Sequence, residues 1–220
     1  MNDKFRLLED NTITVEGKTL YRIQALKDFD DVSKGDVGGY VEKEDNLSIH
    51  GKSWIYDDAR VTGNAMVADD ACVCNDALVT DDARIFDNAR IYDNAQVRDW
   101  AWIQGNGSIF DNAHVYGDAQ IGHGVRVSGD AQIYGDVYIQ GFFHIFGDAD
   151  INGYKDLLTL SPMDGKNGRL IAFKSKKNDI TVSLNSTGFK GTIQEFEKIA
   201  NEQSNKQYEA AINLIKSTIK

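Results

Sequence analysis

Residues 47–154 read, in sixes, LSIHGK, SWIYDD, ARVTGN, AMVADD, ACVCND, ALVTDD, ARIFDN, ARIYDN, AQVRDW, AWIQGN, GSIFDN, AHVYGD, AQIGHG, VRVSGD, AQIYGD, VYIQGF, FHIFGD and ADINGY. These 108 residues make eighteen hexads without an insertion. The third position is Val or Ile in every one, from Ile49 to Ile151, and twelve of the first positions are Ala. Positions five and six are mostly Gly, Asp and Asn.

No helix keeps one face with a period of six, but three short strands coiled into a triangle do, with three hexads per 18-residue rung. The β-branched residue then points inward at mid-strand, where its stiff χ1 suits a stacked pleat. Ala points inward near the corner, where only a methyl group fits. Gly, Asn and Asp turn the corner because they tolerate positive φ. Eighteen hexads predict six rungs and, at about 4.8 Å per stacked strand, a prism about 29 Å long.

This pattern resembles the hexapeptide-repeat family of left-handed parallel β-helices, many of them acyltransferases. The resemblance implies the left hand, which the general preference for right-handed parallel crossovers would not. It also implies a trimer, with coenzyme A bound between neighbouring prisms. The head of the chain, with Asp28 to Val32, Gly35 to Glu42, Asn46 to Ser48 and Gly51 to Trp54, is similar to bacterial and phage proteins of the same repeat class. A phage-encoded role in conflict with a host is what that second likeness implies.

The expected architecture is mainly β: an N-terminal β cap over 1–46, the left-handed parallel β-helix over 47–154, and a C-terminal α+β cap or oligomerisation domain over 155–220. In the head, residues 5–8 and 13–26 read as strands joined at Glu16-Gly17-Lys18, and the Gly-rich run 35–39 as a loop into the first rung. In the tail, Leu157 to Leu160, Arg169 to Lys174 and Asp179 to Leu184 read as strands, with turns at Asp164-Gly165 and Lys176 to Asn178. Thr192 and Glu195 form a capping box before the helix IQEFEKIANEQ, and a second amphipathic helix runs through Tyr208, Ile212 and Ile215. The apolar faces of these helices call for the tail's own strands, the open last rung, or neighbouring subunits as partners.

Charge and composition narrow the functions. Residues 1–46 hold seven Lys/Arg against eleven Asp/Glu, residues 47–154 six against sixteen, and residues 155–220 eleven against seven. An acidic prism argues against direct nucleic-acid binding. A mean hydropathy of −0.42 leaves no membrane span. MNDKFRLLEDN lacks the apolar core of a signal peptide, so a cytoplasmic location is expected, the host cytoplasm for a phage product. Cys72 and Cys74 stand two apart on one outer face, too strained for an ordinary disulfide and too few for a metal site, so free thiols are expected.

Residues 18 apart stack in files. The face of the hexads starting at 53 carries Trp54, Cys72, Arg90, Ser108, Arg126 and His144 beside Tyr56, Cys74, Tyr92, Phe110, Ser128 and Phe146. So many outward aromatics suit a trimer interface or a ligand groove between subunits. In the groove, Arg90 and Arg126, about 9.6 Å apart across Ser108, would hold an anionic group while Tyr92 and Phe110 stacked on a ring and His144 closed the file. The corner file of Asp and Asn suits turn chemistry and solubility, or else the collection of cations or imitation of a nucleic-acid backbone. For acyl transfer only His123, between Gly122 and Gly124, has an unusual place, and no loop or carboxylate is arranged to serve it. Two functions therefore stand: a non-enzymatic scaffold, needing no cofactor or metal, that binds or sequesters a small anionic, nucleotide-like ligand or a host defence protein; and a coenzyme A-dependent acyltransferase.

Overall fold

The computed structural model describes residues 2–163 and 168–219 of the 220-residue chain. An antiparallel hairpin begins it: β1 (Phe5–Val15) and β2 (Lys18–Ala25) turn through Glu16 and Gly17, both at positive φ. Where the sequence reads two strand segments, β1 runs on through residues 9–12, with an irregularity in pairing between Leu8 and Thr12. Next comes β3 (Val37–Val41), antiparallel to β2 and parallel to the coil strand Arg60–Val61. The Gly-rich run is thus largely the strand that joins cap to coil, not a loop. Its glycines are needed for close approach: a Cβ on Gly38 would lie 2.5 Å from the Ile55 carbonyl oxygen, and one on Gly39 2.5 Å from that of Ala59.

Seventeen strands of two or three residues follow, β4 (Trp54–Ile55) to β20 (Asp150–Ile151). Each pairs in parallel with the strand 18 residues on, making three sheets of a parallel β-solenoid of about six turns. From Ile55 to Ile151 every third-position Val or Ile is at most 2% exposed. Each contributes about 1.5–3 kcal/mol relative to an exposed side chain. All sixteen fifth-position residues from Asp57 to Gly147 have positive φ. Seven are Gly, and the rest are Asp or Asn except His123. The Asp side chains also act between rungs: carboxylates of Asp87, Asp99 and Asp111 accept from the backbone N–H of Gly105, Gly117 and Gly129 at 2.9–3.0 Å. This favours turn chemistry for the corner file, and among the described residues no group of three or more His, Cys, Asp or Glu could hold a metal ion.

The first hexad departs from its period. Leu47, not Ile49, pairs with Val67, and Ser48 N–H donates to the Val67 carbonyl. Val41 likewise pairs with Val61, so the rung ahead of Trp54 is offset by 20 residues instead of 18. Two extra residues lie in the turn between Leu47 and Trp54. Lys4 fastens that turn to the head: its buried ammonium donates to the Ser48 carbonyl and to Ser53 Oγ, beside the Phe29 ring. Trp54, read as part of an outward file, is buried under edge contacts from Phe5 and Phe29.

At the other end, an antiparallel sheet forms from β21 (Leu157–Met163), β22 (Gly168–Lys174), β23 (Ile180–Leu184) and β24 (Phe189–Thr192). The fourth strand adds to the three that the sequence indicates; the Asp164-Gly165 turn lies outside the described residues. Strand β22 is buried on both faces: Ile171 and Phe173 join the solenoid core, while Leu170 and Ala172 meet the helices. Helices α1 (Ile193–Gln203) and α2 (Lys206–Thr218) therefore pack on the tail's own sheet, and the sheet, not the helices, meets the last rungs. The capping box forms as expected, with Glu195 N–H donating to Thr192 Oγ1 and Thr192 N–H to Glu195 Oε2. Among the described residues no helix is long and apolar enough to cross a membrane.

Candidate functional site

The six-stranded sheet that runs from Trp54 to Ile145 carries the candidate residues. Its two-residue strands give every rung one outward side chain at the second hexad position, and pairing stacks Cys72, Arg90, Ser108, Arg126 and His144 in that order. Arg90 and Arg126 thus sit one rung either side of Ser108, as the 18-residue period requires. With Cys72, Cys74 and Tyr92 they line a cavity of about 380 Å³. Among the described residues neither arginine has a carboxylate within ion-pair distance.

The aromatic side chains are arranged differently from the expected ring site. Tyr92 and Phe110 stack on each other, centroids 4.9 Å apart and planes within 3°. The Arg126 guanidinium lies 5.1 Å from the Phe110 centroid, and His144 stacks beyond Phe110 at 6.0 Å. Tyr92 and Phe110 thus turn one face to each other, and that face is closed to a ligand ring. The pair acts as a rigid wall that fixes Arg126, at a cation–π distance.

His144 has its ring nitrogens engaged: Nε2 is 2.8 Å from Ser128 Oγ and Nδ1 is 3.3 Å from Lys190 Nζ. An ammonium only donates, so Nδ1 accepts and Nε2 carries the proton to Ser128. Burial, Lys190 and Arg126 push the pKa of His144 down to about 4. A Ser and a His at this distance resemble a nucleophile and its base, but here the nitrogen facing the hydroxyl is already protonated, and the group behind the ring is a cation where catalysis needs an acceptor. Ser128 is moreover buried.

His123 stands at an exposed corner with φ 53° and, among the described residues, makes no side-chain hydrogen bond. The strands from Trp54 to Ile151 follow without an extruded loop. Nothing in this arrangement prepares acyl transfer at His123.

A family model described as YdcK Beta solenoid repeat matches residues 83–99. That segment covers the strands of Arg84, Arg90 and Gln96, hence part of the face just described. The likeness concerns the repeat. No curated protein matches the chain.

The thiols lie at the head-proximal end of the same face. Cys72 and Cys74 are free and half-buried. A hydrogen bond from Cys74 and the Arg90 guanidinium hold the Cys72 thiol below its usual value, while Cys74 is pushed up as the donor of that bond and by burial. Beside them Tyr56 donates to Asp31 at 2.6 Å, and burial together with that bond raises the phenol.

Two cations at the site come from the tail. In the sequence Lys190 is only one of the eleven Lys/Arg of the basic tail, and Arg169 only a strand residue. One local signal marks the place where they arrive: Phe142 and Phe143 interrupt the corner and Ala pattern of the hexads.

Proposed function

We propose that the protein is a non-enzymatic binding scaffold that captures a small phosphate-bearing, nucleotide-like ligand on the Arg90, Ser108 and Arg126 file. The observation that carries this reading is the pair of arginines lining one cavity without carboxylate partners among the described residues, on a solenoid segment where Asp and Glu outnumber Lys and Arg sixteen to six. Cations without ion-pair partners have no salt bridge to give up before they meet an anion, and guanidinium forks suit phosphate oxygens. Ser108 adds a hydroxyl between them.

Capture without conversion fits the rest of the face. The Ser128 and His144 pair is in the wrong protonation state for nucleophilic attack, and among the described residues His123 has no orienting partner. The likeness of the head to phage proteins supports sequestration of a nucleotide signal in a host cell as the setting. The exposed Trp102 and Tyr138 on the five-stranded sheet support association of the scaffold into a trimer.

Native mass spectrometry with pyrophosphate and nucleoside diphosphates tests the reading. Trimers carrying bound anion are expected, and the combined R90A and R126A substitutions should reduce occupancy at least tenfold. Unchanged occupancy in that variant would refute the site.

A further inference from the structure

Beside the arginine file, a second cavity of about 430 Å³ opens where the C-terminal sheet overhangs the last rungs. Phe142, Phe189 and Ile171 supply apolar wall, and Arg126, Arg169 and Lys190 ring it with charge. Arg126 also lines the first cavity, so the two adjoin. Three cations around one space repel one another. Among the described residues none of the three has a carboxylate within ion-pair distance, in a chain of net charge −10. His144 stands in the same wall, its pKa pushed down by burial first and then by Lys190 and Arg126.

The apolar part is equally specific. Phe142 is 64% exposed, and the Arg169 guanidinium lies 5.3 Å from its ring centroid. Lys190 stands 4.8 Å from the Phe146 centroid while its Nζ reaches His144. The Phe142 ring lies close against Gly124, where an added Cβ would come within 2.9 Å of it. A flat exposed ring beside guanidinium groups is a platform for an aromatic heterocycle, because every base offers a π face and the cations answer its phosphate. The volume lies within the range of small-molecule sites.

We propose that this junction cavity is a second subsite, which takes the aromatic ring of a nucleotide while its phosphates extend past Arg126 toward Arg90. The phosphate half rests on the anion-site reading above; the ring half rests on Phe142, Arg169 and the cavity.

Isothermal titration calorimetry of the full chain with pyrophosphate, ADP, GDP and UDP separates the two. At least one nucleotide should bind ten or more times tighter than pyrophosphate, and Phe142→Ala should remove that advantage while leaving pyrophosphate affinity unchanged. The unchanged pyrophosphate affinity also reports that the variant is folded. Arg90→Ala should weaken pyrophosphate and nucleotide alike. Nucleotides that bind no better than pyrophosphate, or a Phe142→Ala variant that keeps the full advantage, would overturn the ring subsite while the anion site stands. If Arg90→Ala changed neither affinity, the anion site would fall, and loss of the nucleotide advantage at Phe142→Ala would still support the ring subsite. Absence of binding by every probe would overturn both.

Discussion

Asp111 isolates what the corner residues contribute. It sits mid-solenoid at φ 56°, and one carboxylate oxygen accepts from the Gly129 N–H at 3.0 Å. Asp111→Ala forces a Cβ without local hydrogen bonding into the left-handed region, at a cost of about 1–2 kcal/mol. It also removes the bond to the next rung, worth about 0.5–1.5 kcal/mol. The expected loss is therefore about 1.5–3.5 kcal/mol, a fall in Tm of roughly 3–14 °C for a domain of this size. Asp111→Asn keeps both the acceptor and the tolerance for positive φ and should lie close to the parent. Asp111→Gly keeps only the backbone tolerance and should fall between them. Thermal unfolding followed by circular dichroism ranks the three. An Ala variant as stable as the Asn variant would mean that the corners are not held by φ and the inter-rung bond, and the account of why Asp recurs there would fail.

His144 and Cys72 give two further tests. The pKa of His144 is depressed in the folded state, so the unfolded chain binds its proton first: stability from this group is complete above about 6.5 and is lost as pH falls toward about 4. A proton NMR titration should place its midpoint near 4, and Lys190→Ala should raise it; a midpoint at the ordinary histidine value would refute the contact with Lys190. The Cys72 thiol, held down by Cys74 and Arg90, should be alkylated by iodoacetamide with a pH midpoint below the free-thiol value of about 8.5. Arg90→Ala should move that midpoint upward, and no movement would show that the guanidinium is not near the sulfur.

The solenoid was legible because its signal repeats. A Val or Ile every sixth residue, with Asp, Asn or Gly two residues later, states both the inward face and the corner, and the structure places them so from Ile55 onward. The first hexad misled for the same reason. Ile49 looks like every other third position, but local sequence does not show that the turn before Trp54 holds two extra residues, or that Leu47 takes the inward place. Trp54 was misread because the period treats all rungs as equivalent, whereas the end rung meets Phe5 and Phe29. The arginine file followed from the period alone. Lys190 could not, since it meets His144 across 46 residues of sequence and its position depends on how the tail folds back.

That last contact bears on where a solenoid can hold a ligand. A straight stack of identical rungs presents flat faces, and its outward side chains stack on one another, as Tyr92 does on Phe110 and Tyr116 on Tyr134. The cavity between Arg90 and Arg126 is lined by rung side chains alone, and further concavity arises where something overhangs the stack. The hairpin supplies it at one end, where Val15 and Lys18 stand over Leu78 and Gln96 around a space of only about 210 Å³. The C-terminal sheet supplies it at the other, with the larger cavity and with two cations that the solenoid lacks. The basic tail thus sets Arg169 and Lys190 against one end of an acidic prism, and Arg126 of the repeat gains cationic neighbours there. In this fold the repeat provides the rigid spacing of Arg90 and Arg126, and the non-repeating tail makes the space beside them selective.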